Sequence, residues 1–133
     1  MIPAAILTRI WWALGYFFVV AAVFTCLVPG RDLPSAFEIN DKVSHGVGHA
    51  LLAIWFAGLV QRRYWWKIFA GLLALGIAIE FAQYCMDAGR EGDPVDVLAN
   101  SCGALSGLLL AFAGLARWPE WAAWLLGQRR ATR

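Results

Sequence analysis

From Ile10 to Gly30 the chain runs without a charged residue. That run constrains the fold more than any other feature. A helix rises about 1.5 Å per residue, so roughly 20 mostly apolar residues cross the ~30 Å hydrocarbon core of a bilayer. Three more stretches have the same character. Val43 to Gln61 carries no charge, only His45 and His49; Ile68 to Met86 carries Glu80; Val97 to Ala116 carries none. Lipid offers no hydrogen bonds to the backbone, so only helices or closed barrels span it. These runs are solidly apolar rather than alternating in ~10-residue segments, which argues against a barrel. The sequence therefore predicts an all-α integral membrane protein, a four-transmembrane-helix bundle. Its helices are expected at about 10-29, 43-61, 68-86 and 96-116, in one domain spanning 1-133. The first run exceeds the ~7–15-residue core of a signal peptide and no small-residue cleavage site follows Val28, so it reads as a retained helix.

Composition narrows the alternatives. Hydrophobic residues make up 61% and charged residues 15% of the 133, against about 45–50% and 25% in soluble domains. A soluble chain this short would have to hide 8 Trp, 8 Phe and 3 Tyr in a small core, yet such a chain buries only about two-thirds of its surface. These values argue against a soluble enzyme, a nucleic-acid binder and a disordered chain.

The net charge of +2 conceals an asymmetry. Residues 1–9, the 62–67 loop and the segment after 116 hold Arg9, Arg62, Arg63, Lys67, Arg117, Arg129, Arg130 and Arg133, with Glu120 the one acid. The 31–42 and 87–96 loops hold Arg31, Lys42 and Arg90 against seven acids, among them Asp41, Asp93 and Asp96. Positive charge stays on the cytoplasmic side, so the expected topology is N-in/C-in. Trp11, Trp12, Trp65, Trp66, Trp118, Trp121 and Trp124 fall at the same boundary and Trp55 mid-span; indoles favour that interface. The segment WPEWAAWLL, 118–126, is too short to span and is expected as an interfacial C-terminal helix anchored by its three indoles.

The polar residues collect at one depth. Counted inward from Val43, Met86 and Val97, His45 lies ~3 Å deep and His49 ~9 Å, Gln83 ~5 Å and Glu80 ~9 Å, Asn100 ~5 Å and Gly103 ~9 Å. Helical spacing puts His45 and His49 on one face, Glu80, Gln83 and Asp87 on another, and Asp93, Asp96, Asn100, Gly103 and Gly107 on a third. Asp93 before Pro94 reads as an N-cap followed by an N1 proline. Gly103 and Gly107 form a small-xxx-small ridge for close helix approach. Each has a plainer reading: Asp41 and Asp93 as caps, Gln83 and Asn100 as interhelical glue, His49 as a hydrogen-bonded core histidine. Glu80 is hardest to dismiss, because a carboxylate in lipid must pair, stay protonated or line a wet cavity. Cys26, Cys85 and Cys102 read as small apolar residues, with a Cys85–Cys102 disulfide or a His/Cys/Glu metal site as alternatives; no ligand spacing specifies a metal.

The order Asp41-Lys42-x-x-His45, Glu80-x-x-Gln83, then Arg90-x-x-Asp93-x-x-Asp96-x-x-x-Asn100-x-x-Gly103-x-x-x-Gly107 resembles the VanZ-like family of small membrane proteins, from about residue 41 to 107. The resemblance implies a multi-pass protein of the bacterial inner (cytoplasmic) membrane. It also implies association with resistance to the lipoglycopeptide teicoplanin.

Three main functions remain open at this point, with ion transport a minor fourth because four helices in one copy barely enclose a pathway. The first is a site of Asp41, Lys42, His45, Glu80, Gln83, Arg90, Asp93, Asp96 and Asn100 that binds or handles a lipid-linked or cell-envelope molecule, since Arg suits phosphate or carboxylate oxygens. The second is an enzyme acting on a lipid phosphate, with His45, Glu80 and Asp96 as candidate acid/base groups. The third is a structural or partner-binding protein in which the outer charges clip loops together. Gly103 and Gly107 are expected to be structural. No cofactor, metal or nucleic acid is expected. Partners would be membrane lipids, a lipid-linked wall precursor or a lipoglycopeptide, with a homo-oligomer open.

Overall fold

A computed structural model describes residues 3–28, 41–86 and 93–127. They form five α-helices and no strand: α1 (Ala4–Leu27), α2 (Asp41–Ala57), α3 (Trp65–Met86), α4 (Pro94–Phe112) and α5 (Trp118–Leu125). Three segments are long and apolar enough to cross a membrane: Ala4–Leu27, Arg62–Met86 and Pro94–Phe112. The fourth expected span, α2, has 17 residues, about 25 Å at 1.5 Å each and the lower limit for spanning.

The helix bounds differ from expectation for local reasons. α1 starts at Ala4 rather than near 10, because the Pro3 carbonyl accepts from the N–H groups of Ile6 and Leu7 and the apolar turn that follows has nothing to stop it. It ends at Leu27, before Pro29, and Val28 is extended as a residue preceding proline prefers. α2 stops at Ala57 rather than Gln61. A Cβ at Gly58 would lie 2.3 Å from Trp118 Nε1, and that indole donates to the Trp55 carbonyl at 3.1 Å, an acceptor in the last turn that the Gly58 N–H also reaches. α4 begins at Pro94 with Asp93 as N-cap, its side chain accepting from the Val95 N–H. It ends at Phe112, short of 116, because Gly114 turns the chain at φ 132°.

α4 packs against both α2 and α3 and meets α2 backbone to backbone. A Cβ at Gly103 would stand 2.0 Å from the Gly46 carbonyl oxygen, and one at Gly107 2.3 Å from that of Ala50. The apolar core is small: Leu52, Ala53, Leu72 and Ala104 cluster together, and Ile79, Ala57 and Ala111 are also buried. Large apolar side chains such as Phe17, Phe24, Leu51, Phe81 and Leu109 point outward instead. That is the arrangement expected where lipid is the solvent and small residues mediate helix contact. α1 is peripheral, with only Gly15 buried. An apolar groove of about 630 Å³ runs between it and α2 and α3, lined by Trp12, Val19, Phe56 and Leu72 among others.

Trp55 sits in the last turn of α2, not mid-span, because that helix is shorter than expected. It stacks on Trp118 (centroids 4.2 Å apart, planes at 24°), Trp11 meets both edge-on, and Trp55 Nε1 donates to the Trp11 carbonyl. Of the three indoles expected to anchor the interfacial helix, Trp118 turns into the bundle; Trp121 and Trp124 are exposed.

Candidate functional site

At the end opposite the tryptophans, the start of α2, the end of α3 and the start of α4 converge. A helix start offers unpaired N–H groups and a partial positive charge. At α4 these are met by acids from two sources. Asp93 accepts from the Val95 N–H at 2.8 Å. In a capping box the acid at the third helical position would reach back to the N-cap N–H. Here that N–H, of Asp93, donates instead to Glu80 Oε2 of α3 at 2.9 Å. Asp96, which occupies the third position, is thereby released to face α2.

Lys42, in the first turn of α2, takes up both α4 acids. Its Nζ donates to Asp93 Oδ2 at 2.5 Å and to Asp96 Oδ1 at 2.9 Å. Hydrogen bonding to Asp93, then to Asp96, raises the Lys42 ammonium above its ordinary value. The same contact, with the Val95 N–H second, holds the Asp93 carboxyl below the ordinary carboxylate value. Both are ionised at neutral pH. Lys42 and Asp93 are partly exposed, whereas Asp96 is buried, so the ion pair forms a rim over a covered floor.

Beneath that rim the side chains are buried. His45, Glu80 and Asp96 are 4%, 7% and 5% exposed. One donor atom from each lies within 4.8 Å of the others, although the three come from three helices. Asn100, one turn below Asp96, is 1% exposed. Its amide abuts α3 at Gly76, where a Cβ would stand 3.0 Å from Nδ2, one turn below Glu80. Neither amide atom of Asn100 has a hydrogen-bond partner among the described residues.

The remaining candidates separate. Gln83 points to α1, its Nε2 donating to the Cys26 carbonyl at 2.9 Å, one of the acceptors a helix end leaves open. His49 lies a turn below His45, with Nδ1 3.1 Å from the His45 carbonyl of its own helix. Gly103 and Gly107 lie against α2, as above. Arg90, Asp87 and the Asp41 side chain fall outside the described residues. Cys85 and Cys102 are exposed rather than buried, and no disulfide joins the described cysteines.

What the arrangement offers chemically is a covered imidazole close to two carboxylates, below a lysine already engaged by two acids. A general acid or base could work there. A phosphate-binding lysine could not, unless the pairs to Asp93 and Asp96 opened. The sequence gives each acid its helix face. It does not show that Glu80 caps α4 or that Lys42 takes both acids, because those contacts join residues far apart in the chain.

A family model described as VanZ/LLP1 matches residues 10–117. Among curated proteins and among solved structures nothing matches the chain.

Proposed function

The chain belongs to the VanZ/LLP1 family, and from that membership we propose an inner-membrane protein that holds the polar headgroup of a lipid-linked or other envelope molecule and so contributes to tolerance of glycopeptides such as teicoplanin. One observation carries this reading: His45, Glu80, Asp96 and Asn100, all buried, meet where three helix ends converge. Polar groups at that depth in a membrane protein are costly, and their usual justification is a ligand or a wet cavity. In this reading α2 is a fourth span, at the lower limit of spanning length. The bundle is N-in/C-in, as the excess of Lys and Arg at the tryptophan end favours. The polar end then faces outward, where envelope precursors and glycopeptides are met.

The test is teicoplanin susceptibility of a sensitive host expressing the full chain. Wild type is expected to raise the inhibitory concentration, and Glu80→Gln and Asp96→Asn, at equal membrane abundance, to abolish the rise. Unchanged tolerance in both variants refutes the reading.

A second reading is favoured by His45 lying within 4.8 Å of two carboxylates: acid/base chemistry on a lipid phosphate, with His45 shuttling the proton. Turnover of envelope lipids by the pure protein, lost in His45→Ala, supports it. Absence of turnover in the wild type excludes it while leaving headgroup binding intact.

A further inference from the structure

The groove of about 630 Å³ between α1, α2 and α3 has an apolar bed and a polar mouth. Tyr64 and Lys67 stand at the mouth, and Leu75 lies at the far end, about 12 Å further along α3 at 1.5 Å per residue. One leaflet's share of the ~30 Å hydrocarbon core is about 15 Å. The groove therefore starts where headgroups lie, at the tryptophan end, and stays within one leaflet. We propose that it holds one acyl chain of an anionic phospholipid, with the lipid phosphate on Lys67 and Arg63.

The bed is built in advance. Trp12 and Tyr16, one turn apart on α1, both pack on Phe56 of α2, with ring centres 5.7 and 6.2 Å away. A wall already ordered lowers the cost of binding. On α3, Lys67, Gly71 and Leu75 recur every fourth residue and share one face. Gly71 keeps that face open, since a Cβ there meets nothing within 4 Å. Spread over ~12 Å, the volume gives a mean cross-section of about 50 Å², below the roughly 80 Å² of a helix about 10 Å across. A single hydrocarbon chain fits such a slot, and a helix from a second copy does not.

Charge names the class of lipid. The 62–67 segment has three cations and no acid. Arg62 turns toward α4, its guanidinium 3.6 Å from the centre of the Phe112 ring. Arg63 and Lys67 instead lie against the Tyr64 ring, 4.7 and 5.1 Å from its centre. An aromatic face holds a cation in place without cancelling its charge. Neither cation makes an ion pair with an acid among the described residues. A lysine stem can follow an apolar edge while its ammonium reaches headgroup level. A phosphate without a headgroup amine complements this mouth, whereas a zwitterionic headgroup brings a further cation to it. The site lies at the opposite end of the bundle from His45, Glu80 and Asp96 and does not depend on the headgroup reading. The groove is open to the bilayer along one side, so its lipid exchanges with the membrane and the test is made in vesicles.

The full chain is reconstituted in phosphatidylcholine with an increasing fraction of lipid brominated on its acyl chains, either phosphatidylglycerol or phosphatidylcholine. Bromine quenches indole fluorescence on contact, and the difference between wild type and Trp12→Phe isolates the indole in the groove wall. Half-quenching of Trp12 is expected at an about fivefold lower fraction of the anionic lipid. Lys67→Gln should remove most of that preference. Arg117→Gln, which removes a cation at the same end already paired with Glu120, should keep it. Gly71→Leu should fill the slot and shield Trp12 from both lipids. Circular dichroism shows which variants fold. Any of four results overturns the proposal: equal quenching by the two lipids in wild type, a preference that Lys67→Gln leaves intact, a folded Gly71→Leu chain quenched like wild type, or a Trp12 that neither lipid reaches. The last, with a dimer trapped by cross-linking, would assign the groove to a second copy. A chain that shows the preference but gives no teicoplanin tolerance sinks the headgroup reading and leaves this proposal standing.

Discussion

Gly103→Ala should separate α2 from α4 and disturb the polar cluster from a distance. The new Cβ would lie 2.0 Å from the Gly46 carbonyl oxygen, 2.7 Å from its carbon and 2.8 Å from its Cα, where ordinary contact begins at 3.4 Å. All three atoms are backbone, so no side chain can swing away. α2 must withdraw by about 1 Å, and a gap of that size forfeits a quarter to a half of the dispersion energy of the contacts it opens. Overpacking of this kind costs about 1–3 kcal/mol, and with rigid backbone on both sides the upper figure applies, about two decades in the unfolding equilibrium. Gly46 adjoins His45, so the cluster moves with it. Detergent-solubilised protein titrated with dodecyl sulfate and followed by near-ultraviolet circular dichroism reads the loss. Gly48→Ala and Gly71→Ala are the controls: a Cβ there meets nothing within 4 Å, so neither should destabilise and each could gain up to about 1 kcal/mol. Equal stability of Gly103→Ala and wild type, or equal damage from Gly48→Ala, would refute the reasoning.

Four further outcomes are expected. Glu80→Ala leaves the Asp93 N–H without its acceptor and should cost about 1–3 kcal/mol in the same titration, with Glu80→Gln costing less because its amide oxygen still accepts. Lys42→Met should destabilise more than Lys42→Arg, since only the former leaves buried Asp96 without a cation; thermal unfolding ranks the two. Gln83→Ala removes the bond to the Cys26 carbonyl, about 1 kcal/mol, and should speed hydrogen exchange at the end of α1. Trp118→Ala removes the stack on Trp55 and its hydrogen bond, about 2–4 kcal/mol, and should expose the remaining indoles to an aqueous quencher.

The helices were legible because uninterrupted apolar runs of spanning length need no tertiary information. The same holds for the cap at Asp93, where the signal is a local dipeptide, and for the shared face of Asp96 and Asn100. What could not be read were contacts settled by assembly. Glu80 completes the cap of another helix. Lys42 chooses partners 51 and 54 residues away. Gln83 turns from its helical neighbours toward α1. The ends of α2 and the role of Trp118 were missed for one shared reason: the indole packs over Gly58 and stops the helix there. Counting apolar residues cannot see a side chain arriving from 60 residues downstream.

The central claim is that the buried polar cluster holds an envelope molecule rather than merely locking helices together. Native mass spectrometry of the full chain tests it most directly, comparing wild type with the double variant Glu80→Gln, Asp96→Asn at matched helicity. The expected result is an envelope lipid retained on the wild type and lost from the double variant. Equal lipid retention by both proteins, or none by either, would contradict it.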